Sequence, residues 1–214
     1  MNIMLLGAPG SGKGTQAEKL VGRLGYTQVS TGDLMRKQIA DQTALGAECG
    51  KYMNEGKLVP DQIVNAIVKD YLETNHEKLI FDGFPRTLEQ ALELEKMLAE
   101  VNSKMDKVIY IDVAQDVILK RISGRIICPV CKVSYHVETR KPLVEGICDN
   151  DGATLIRRPD DAPEKVAVRL AAYEADTKPL IDFYSNKPGF IHIEEASELD
   201  GETVYQMIEK ELVK

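Results

Sequence analysis

Residues 5–16 read LLGAPGSGKGTQ, and this stretch decides the fold. It holds four glycines and a single lysine. A packed core gains little from such a segment, because glycine loses the most conformational entropy on folding. Its flanks explain it. Residues 3–6 are apolar, and 2–6 read as a short buried strand. From Lys13 the pattern turns helical, with Ala17, Leu20, Val21 and Leu24 on one face. Gly7 and Gly12-Lys13 match G-x-x-x-x-G-K between that strand and that helix, the context a phosphate-binding loop requires. The glycines, Gly10, Gly12 and Gly14 among them, let backbone N–H groups turn towards an anion. The helix N-terminus adds a favourable dipole, and Lys13 brings positive charge to the outer phosphates. The general pattern has Ser or Thr directly after the lysine. Here Gly14 intervenes, so the hydroxyl available to Mg²⁺ moves to Thr15.

Outward from the loop, short apolar segments alternate with amphipathic ones. YTQVS (26–30) reads as a second strand. STGD (30–33) follows as a capping box, with Ser30 as N-cap and Asp33 three residues on. VPDQIVNAIVKDYL (59–72) opens a helix capped by Asp61, with Ile63, Ile67, Asp70 and Tyr71 at amphipathic spacing. KLIFD (78–82) is a buried strand ending in an acid. TLEQ (87–90) caps the next helix through Thr87 and Gln90, and the Glu-rich run over 88–100 is its solvated face. KVIYIDV (107–113) is the plainest strand, with a helix over 116–123. GFIHI (189–193) is the last strand, and 202–213 a closing helix. Strands alternating with helices predict an α/β fold, a parallel sheet of five strands with helices on both faces. Residues 124–159 break the rhythm with Pro, Gly, Cys and short β-like pieces, and read as an inserted module.

The totals fit the same picture. The chain has 214 residues, 43% of them hydrophobic, enough for one domain with inserts. The formal net charge of −7 argues against a general nucleic-acid partner, which needs clustered Lys and Arg. No basic-led signal and no membrane-length apolar run is read, so cytosol is the expected location.

Three further groups carry chemistry. Asp82 ends a buried strand, where open α/β sheets place ligands. A carboxylate there needs a cation, and Mg²⁺ through water is the natural partner. Arg86 can fork onto a phosphate, and the amide of Gln90, one turn on, suits an adenine edge. Second, Cys128-x-x-Cys131 and Cys148-x-x-Asp151 form two hooks sixteen residues apart, a spacing that suits tetrahedral, structural zinc. His136 and Asp149 are weaker rivals for the fourth position. Third, Arg121, Arg125, Arg158 and Arg169 flank the hooks, and several arginines are what the charge of phosphoryl transfer calls for. Cys49, His76 and His192 are assigned no catalytic role, and Tyr173 and Phe183 are read as packing.

GAPGSGKGTQ, STGDLMR and FDGFPRTLEQ together resemble the adenylate kinases, whose phosphate loop carries Gly-Thr after the lysine. The match runs in order along essentially the whole chain. It implies a P-loop core over 1–29, 60–123 and 160–214, a helical insert for the nucleoside monophosphate over 30–59, and a zinc-binding β lid over 124–159. The implied reaction is ATP + AMP to 2 ADP with Mg²⁺. Thr31, the backbone of Lys57, Leu58 and Val59, and Gly83, Phe84, Pro85, Arg86 and Gln90 would contact AMP, with Arg36 on its phosphate. Gly10 to Thr15, Arg121 near the base, and Ser134 and Tyr135 from the lid would contact ATP. Ser11 belongs to that loop. Arg125, Arg158 and Arg169 would reach the phosphates on lid closure; of Arg157 and Arg158, alignment on the Asp160-Asp161 pair selects the second. Asp33 joins Asp82 near magnesium. The resemblance also implies a monomer.

Two other readings compete. One is a kinase for UMP or CMP on the same scaffold; Gln90, Thr31 and the long lid favour AMP. The other is a zinc-ribbon module with a vestigial nucleotide loop, against which Lys13, Arg86, Arg125 and Asp82 stand intact. A regulatory GTPase is disfavoured, because no N-K-x-D occurs.

Overall fold

The computed structural model describes residues 1–213. Strands β1 (Ile3–Leu6), β2 (Thr27–Ser30), β3 (Leu79–Asp82), β4 (Lys107–Ile111) and β7 (Phe190–Ile193) form a five-stranded sheet in the order β2-β3-β1-β4-β7. Every pairing is parallel, with Ile3 opposite Ile80 on one side and Lys107 on the other. The α/β expectation holds. The period of two along β1 sends Met4 and Leu6 into one core and Ile3 and Leu5 into another. Both faces are therefore covered, as parallel sheets require. Helices α4 (Asp61–Thr74), α5 (Leu88–Glu100) and α8 (Pro179–Ser185) pack on the first face. Helices α1 (Lys13–Leu24), α6 (Gln115–Ser123), α7 (Pro163–Ala172) and α9 (Gly201–Leu212) pack on the second.

Asn2 staples the N-terminal edge. Its buried amide donates to His76 O, Ser103 Oγ and Lys104 O at 2.8–3.2 Å, and accepts from Leu79 N at 3.0 Å. Helices α2 (Thr31–Ala40) and α3 (Ala44–Asn54) form the insert between β2 and α4, and a Cβ on Gly46 would lie 2.0 Å from Gln38 O. Strands β5 (Arg125–Ile127) and β6 (Ser134–His136) pair antiparallel in a separate small sheet over a core of Cys128, Tyr135, Cys148 and Leu155.

Several expectations need correction. Val21 is exposed; α1 buries Gln16, Ala17 and Leu20, and Gln16 Nε2 donates to Gly201 O at 3.0 Å to dock α9. The buried stripe of α4 is Val64, Ile67, Val68 and Leu72, so Asp70 and Ile63 do not define it. Valines at the intervening positions carry the apolar face instead. Asp61 is the first helical residue after Pro60 rather than the cap, and its carboxylate serves α5. Both capping boxes form by half. Ser30 Oγ accepts from Asp33 N and Thr87 Oγ1 from Gln90 N, but Asp33 turns to Arg36 and the Gln90 side chain to Arg86 N and Asp61. Cys49 is fully buried in the core rather than in a polar setting. The sequence reading assigns no helix between 160 and 188, where α7, a π-helical turn (Tyr173–Thr177) and α8 lie.

Candidate active site

The C-terminal ends of β1, β3 and β2 open into one cleft of about 1380 Å³. Parallel strands place their connecting loops on the same edge, so the glycine loop, the turn after Asp82 and the start of α2 meet there. In the loop, Gly7, Gly10 and Gly12 take φ of +146°, +85° and +101°. At Gly7 no side chain fits, since a Cβ would lie 2.6 Å from Ser11 Oγ and 2.7 Å from Ile111 O. Gly12 heads α1 with no side-chain cap, which leaves the helix's first amides free for an anion. Lys13 Nζ donates to Gly7 O at 2.7 Å and Ala8 O at 2.8 Å, folded onto its own loop. Burial lowers its pKa to about 8; Asp82 opposes this, while Arg86, Arg169 and Arg125 add to it.

Arginines from four elements surround that lysine. Arg36 comes from α2, Arg86 from the turn after β3, Arg125 from β5 and Arg169 from α7, with Arg158 just before the short turn Pro159–Asp161. Most are held by the protein's own acids. Asp161, 5% exposed, accepts from Arg125 Nε at 2.8 Å and again from its Nη2, and from Arg169 Nη1 at 3.2 Å. Asp160 Oδ2 lies 3.1 Å from Arg169. Asp33 Oδ1 accepts from Arg36 at 2.7 and 3.1 Å. Burial would raise the Asp33 carboxyl, but the Arg36 guanidinium together with Ser30 and Arg158 outweighs it and the pKa falls. Arg86 Nε donates to Gly83 O at 2.7 Å, and burial brings its pKa down to about 10. Arg158 is likewise lowered to about 10 by burial, and its Nε is buried with no partner. Arg121 donates to Ala196 O at 3.1 Å and Ser11 O at 3.4 Å, closing the other end of the cleft.

The expected residues do not all reach the wall. Gly10 to Thr15, Arg36, Lys57, Leu58, Val59, Gly83, Pro85, Arg86, Ser134 and the distal arginines line it. Thr31, Phe84 and Gln90 do not. Thr31 is buried with Oγ1 on Gly83 O at 3.1 Å, Phe84 is core, and Gln90 is 2% exposed with its amide engaged. Tyr135 borders the cleft, but its hydroxyl serves its own small module, accepting from Asp149 N at 2.9 Å. Asp82 Oδ2 accepts from Gln28 Nε2 at 2.9 Å and faces the loop, whereas Asp33 is committed to Arg36. The acids Asp160 and Asp161 and the amide of Gln28 join the site beyond the residues the sequence points to. The adjacent acid pair beside Arg158 was the one available signal.

The four hook residues come together. One ligand atom from each of Cys128, Cys131, Cys148 and Asp151 lies within 4.8 Å of the others. Cys131 and Cys148 Sγ are 3.5 Å apart, and Cys128 Sγ lies 3.2 and 3.3 Å from the Asp151 oxygens. These separations approach the edge of a tetrahedron with metal–sulfur bonds of about 2.3 Å. Val130 N and Cys131 N donate to Cys128 Sγ, as a thiolate knuckle requires. The rivals are occupied elsewhere: His136 Nδ1 accepts from Glu138 N and Thr139 N, and Asp149 Oδ1 from Leu143 N. The group can hold a metal ion.

A family model described as "Adenylate kinase" matches residues 5–188. The adenylate kinase of Mesoplasma florum is 65% identical over 205 residues, 96% of this chain and 97% of that protein. That of Mycoplasma capricolum is 57% identical over 212 residues, 99% of each chain. That of Caldicellulosiruptor saccharolyticus is 50% identical over 189 residues, 87% of this chain and 88% of that one. With a family model matched over residues 5–188 and relatives of this closeness along nearly its whole length, the chain belongs to the adenylate kinase family.

Proposed function

We propose that the chain catalyses reversible phosphoryl transfer, ATP + AMP = 2 ADP, with the glycine loop holding the ATP phosphates and the far end of the cleft holding AMP. One observation carries the residue-level reading: Lys13, Arg36, Arg86, Arg125, Arg158 and Arg169 converge on a single cleft beside uncapped helical amides. Transfer needs no protein nucleophile. An oxygen of the AMP phosphate attacks the γ-phosphorus while the bond to the bridging oxygen of ADP breaks. The growing charge lies on oxygens that Lys13 and the arginines can meet. Arg36 and Arg86 would hold the AMP phosphate. Arg125 and Arg169 would leave Asp161 and Asp160 for the moving group, and Arg158 would join them, as the lid shuts and excludes water.

Adenylate kinases use Mg²⁺ with ATP. The ion neutralises phosphate charge, and Asp82 with Thr15 is the fitting protein side for it, through water. Asp33 is the weaker candidate because Arg36 already holds it. Zinc is the proposed ion of the lid group, structural because four protein ligands leave no open position. In this reading 1–29, 60–123 and 160–214 are core, 30–59 binds the monophosphate and 124–159 is the lid. A cytoplasmic monomer acting on free nucleotides, with no nucleic-acid partner, completes the proposal; among the described residues no helix is long and apolar enough to cross a membrane. A coupled assay with AMP, UMP, CMP and GMP as acceptors tests the function. AMP is expected to be used best; preference for UMP or CMP would make the chain a pyrimidine kinase on this scaffold, and zinc and ATP binding without transfer would leave a binding module.

A further inference from the structure

Asp61 stands outside the cleft wall, yet its carboxylate closes a ring of hydrogen bonds around Gln90. Asp61 Oδ2 accepts from Thr87 Oγ1 at 2.7 Å, and that hydroxyl oxygen accepts from Gln90 N at 3.1 Å. Asp61 Oδ1 accepts from Gln90 Nε2 at 2.6 Å, and Gln90 Oε1 accepts from Arg86 N at 2.7 Å. One partner of the amide can only accept and the other can only donate. Turning the amide over would set oxygen against the Asp61 carboxylate and an NH₂ group against the Arg86 N–H, both in a setting where Gln90 is 2% exposed.

We infer that Asp61 is a specificity-determining positioning residue, which fixes the polarity of the Gln90 amide and so selects a 6-aminopurine over a 6-oxopurine monophosphate. The inference rests on the reading of Gln90 as the residue that meets the base. Once its two fixed bonds are made, Gln90 keeps one lone pair on Oε1 and one proton on Nε2. Adenine offers a donor, the 6-amino group, beside an acceptor ring nitrogen, which matches that pair. Hypoxanthine and guanine carry an acceptor oxygen at position 6, and at N1 a donor, the reverse order in the same pose. An amide free to turn would serve either base. Anchored by Asp61, it serves one. The base reaches this buried amide only after a local opening. Because Asp61 starts α4 and Thr87 caps α5, the anchor belongs to the core and not to the part that opens.

The test compares AMP with IMP as acceptors in the whole enzyme, with ATP as donor. Their ratio of kcat/KM cancels any loss of active protein, so a merely structural role for Asp61 leaves it in place. Asp61→Asn lets a side-chain NH₂ face an overturned Gln90 and removes one of the two clashes. Asp61→Ala removes the anchor. Either is expected to lower the AMP-to-IMP ratio about tenfold, through the KM of AMP and not through kcat. An unchanged ratio in both variants, with Gln90→Ala lowering it, overturns the role of Asp61 alone. An unchanged ratio in Gln90→Ala overturns the reading of Gln90 and this inference with it. If neither Asp61 variant folds, the side-chain amide of Gln90 in the unmodified protein decides by NMR: an Nε2 proton shifted downfield by the charged acceptor and protected from solvent exchange supports the anchor, and Nε2 protons at free-glutamine shifts that exchange like exposed amides overturn it.

Discussion

Lys13 shows how much one position can carry. Its ammonium sits on two loop carbonyls, and burial holds its pKa near 8. Lys13→Ala is expected to cut transfer by roughly two to three orders of magnitude, the usual cost of removing one preorganised charge from a transferring group. Stopped-flow or coupled kinetics would show it. The pH dependence follows from the same burial. Below about pH 8 the empty site carries the charge that phosphate needs; above it the charge is lost, so the Kd of ATP is flat at neutral pH and rises through about pH 8. Above that point ATP binding also takes up a proton, which calorimetry in two buffers of different ionisation enthalpy would detect. For stability the sign is opposite. Burial disfavours the charged form, so its penalty is present below about pH 8 and relieved as pH rises towards the unfolded value. Lys13, Gly7 and Gly12 were legible because the loop's chemistry is local in sequence. Asp61 and Asp161 were not, because their partners lie 26–29 and 8–36 residues away and no spacing rule links them.

At the scale of elements, Gly46 is the tightest joint. A Cβ there meets Gln38 O at 2.0 Å and Ile39 N at 2.7 Å, both backbone, so neither can swing aside. Gly46→Ala is expected to part α2 from α3 at a cost of about 1–3 kcal/mol. Denaturant unfolding would give the loss, and a raised KM for AMP, with ATP affected less, would locate it in the insert. The strands were readable because each is a short apolar run between breakers. The stripe of α4 is ambiguous in the sequence because Val64 and Val68 share the helix with Ile63 and Tyr71, and only packing against α5 chooses between the two faces. The helices after 160 are hidden in the sequence because Pro163 and Pro179, each set at a first helical turn, interrupt the run, and a π-helical turn shifts its period between them.

At the scale of the whole molecule, the small sheet of β5 and β6 packs around the Cys128, Cys131, Cys148 and Asp151 group, and its module reaches back to the core. Arg140 donates to both carboxylate oxygens of Glu18 on α1, at 2.8 and 3.1 Å. Metal analysis of gently purified protein is expected to give about one zinc per chain. Asp151→Ala is expected to weaken zinc binding by at least about tenfold, the lower bound for disturbing even the groups behind a ligand. A chelator competition read by a zinc indicator would measure it, while the parallel sheet keeps its circular dichroism. The sequence disclosed the hooks but not which of Asp149, Asp151 and His136 completes them; that depended on the backbone amides that claim the other two. The pairing of the arginines with Asp33, Asp160 and Asp161 has a consequence for which anions can compete for the empty enzyme. A lone sulfate displaces one tethered carboxylate and recovers little more than it breaks. A linear polyphosphate meets several guanidinium groups at once and frees several carboxylates to water together. Inhibition should therefore steepen with the number of linked phosphates rather than with total anionic charge, which would shield the resting enzyme from the salt around it.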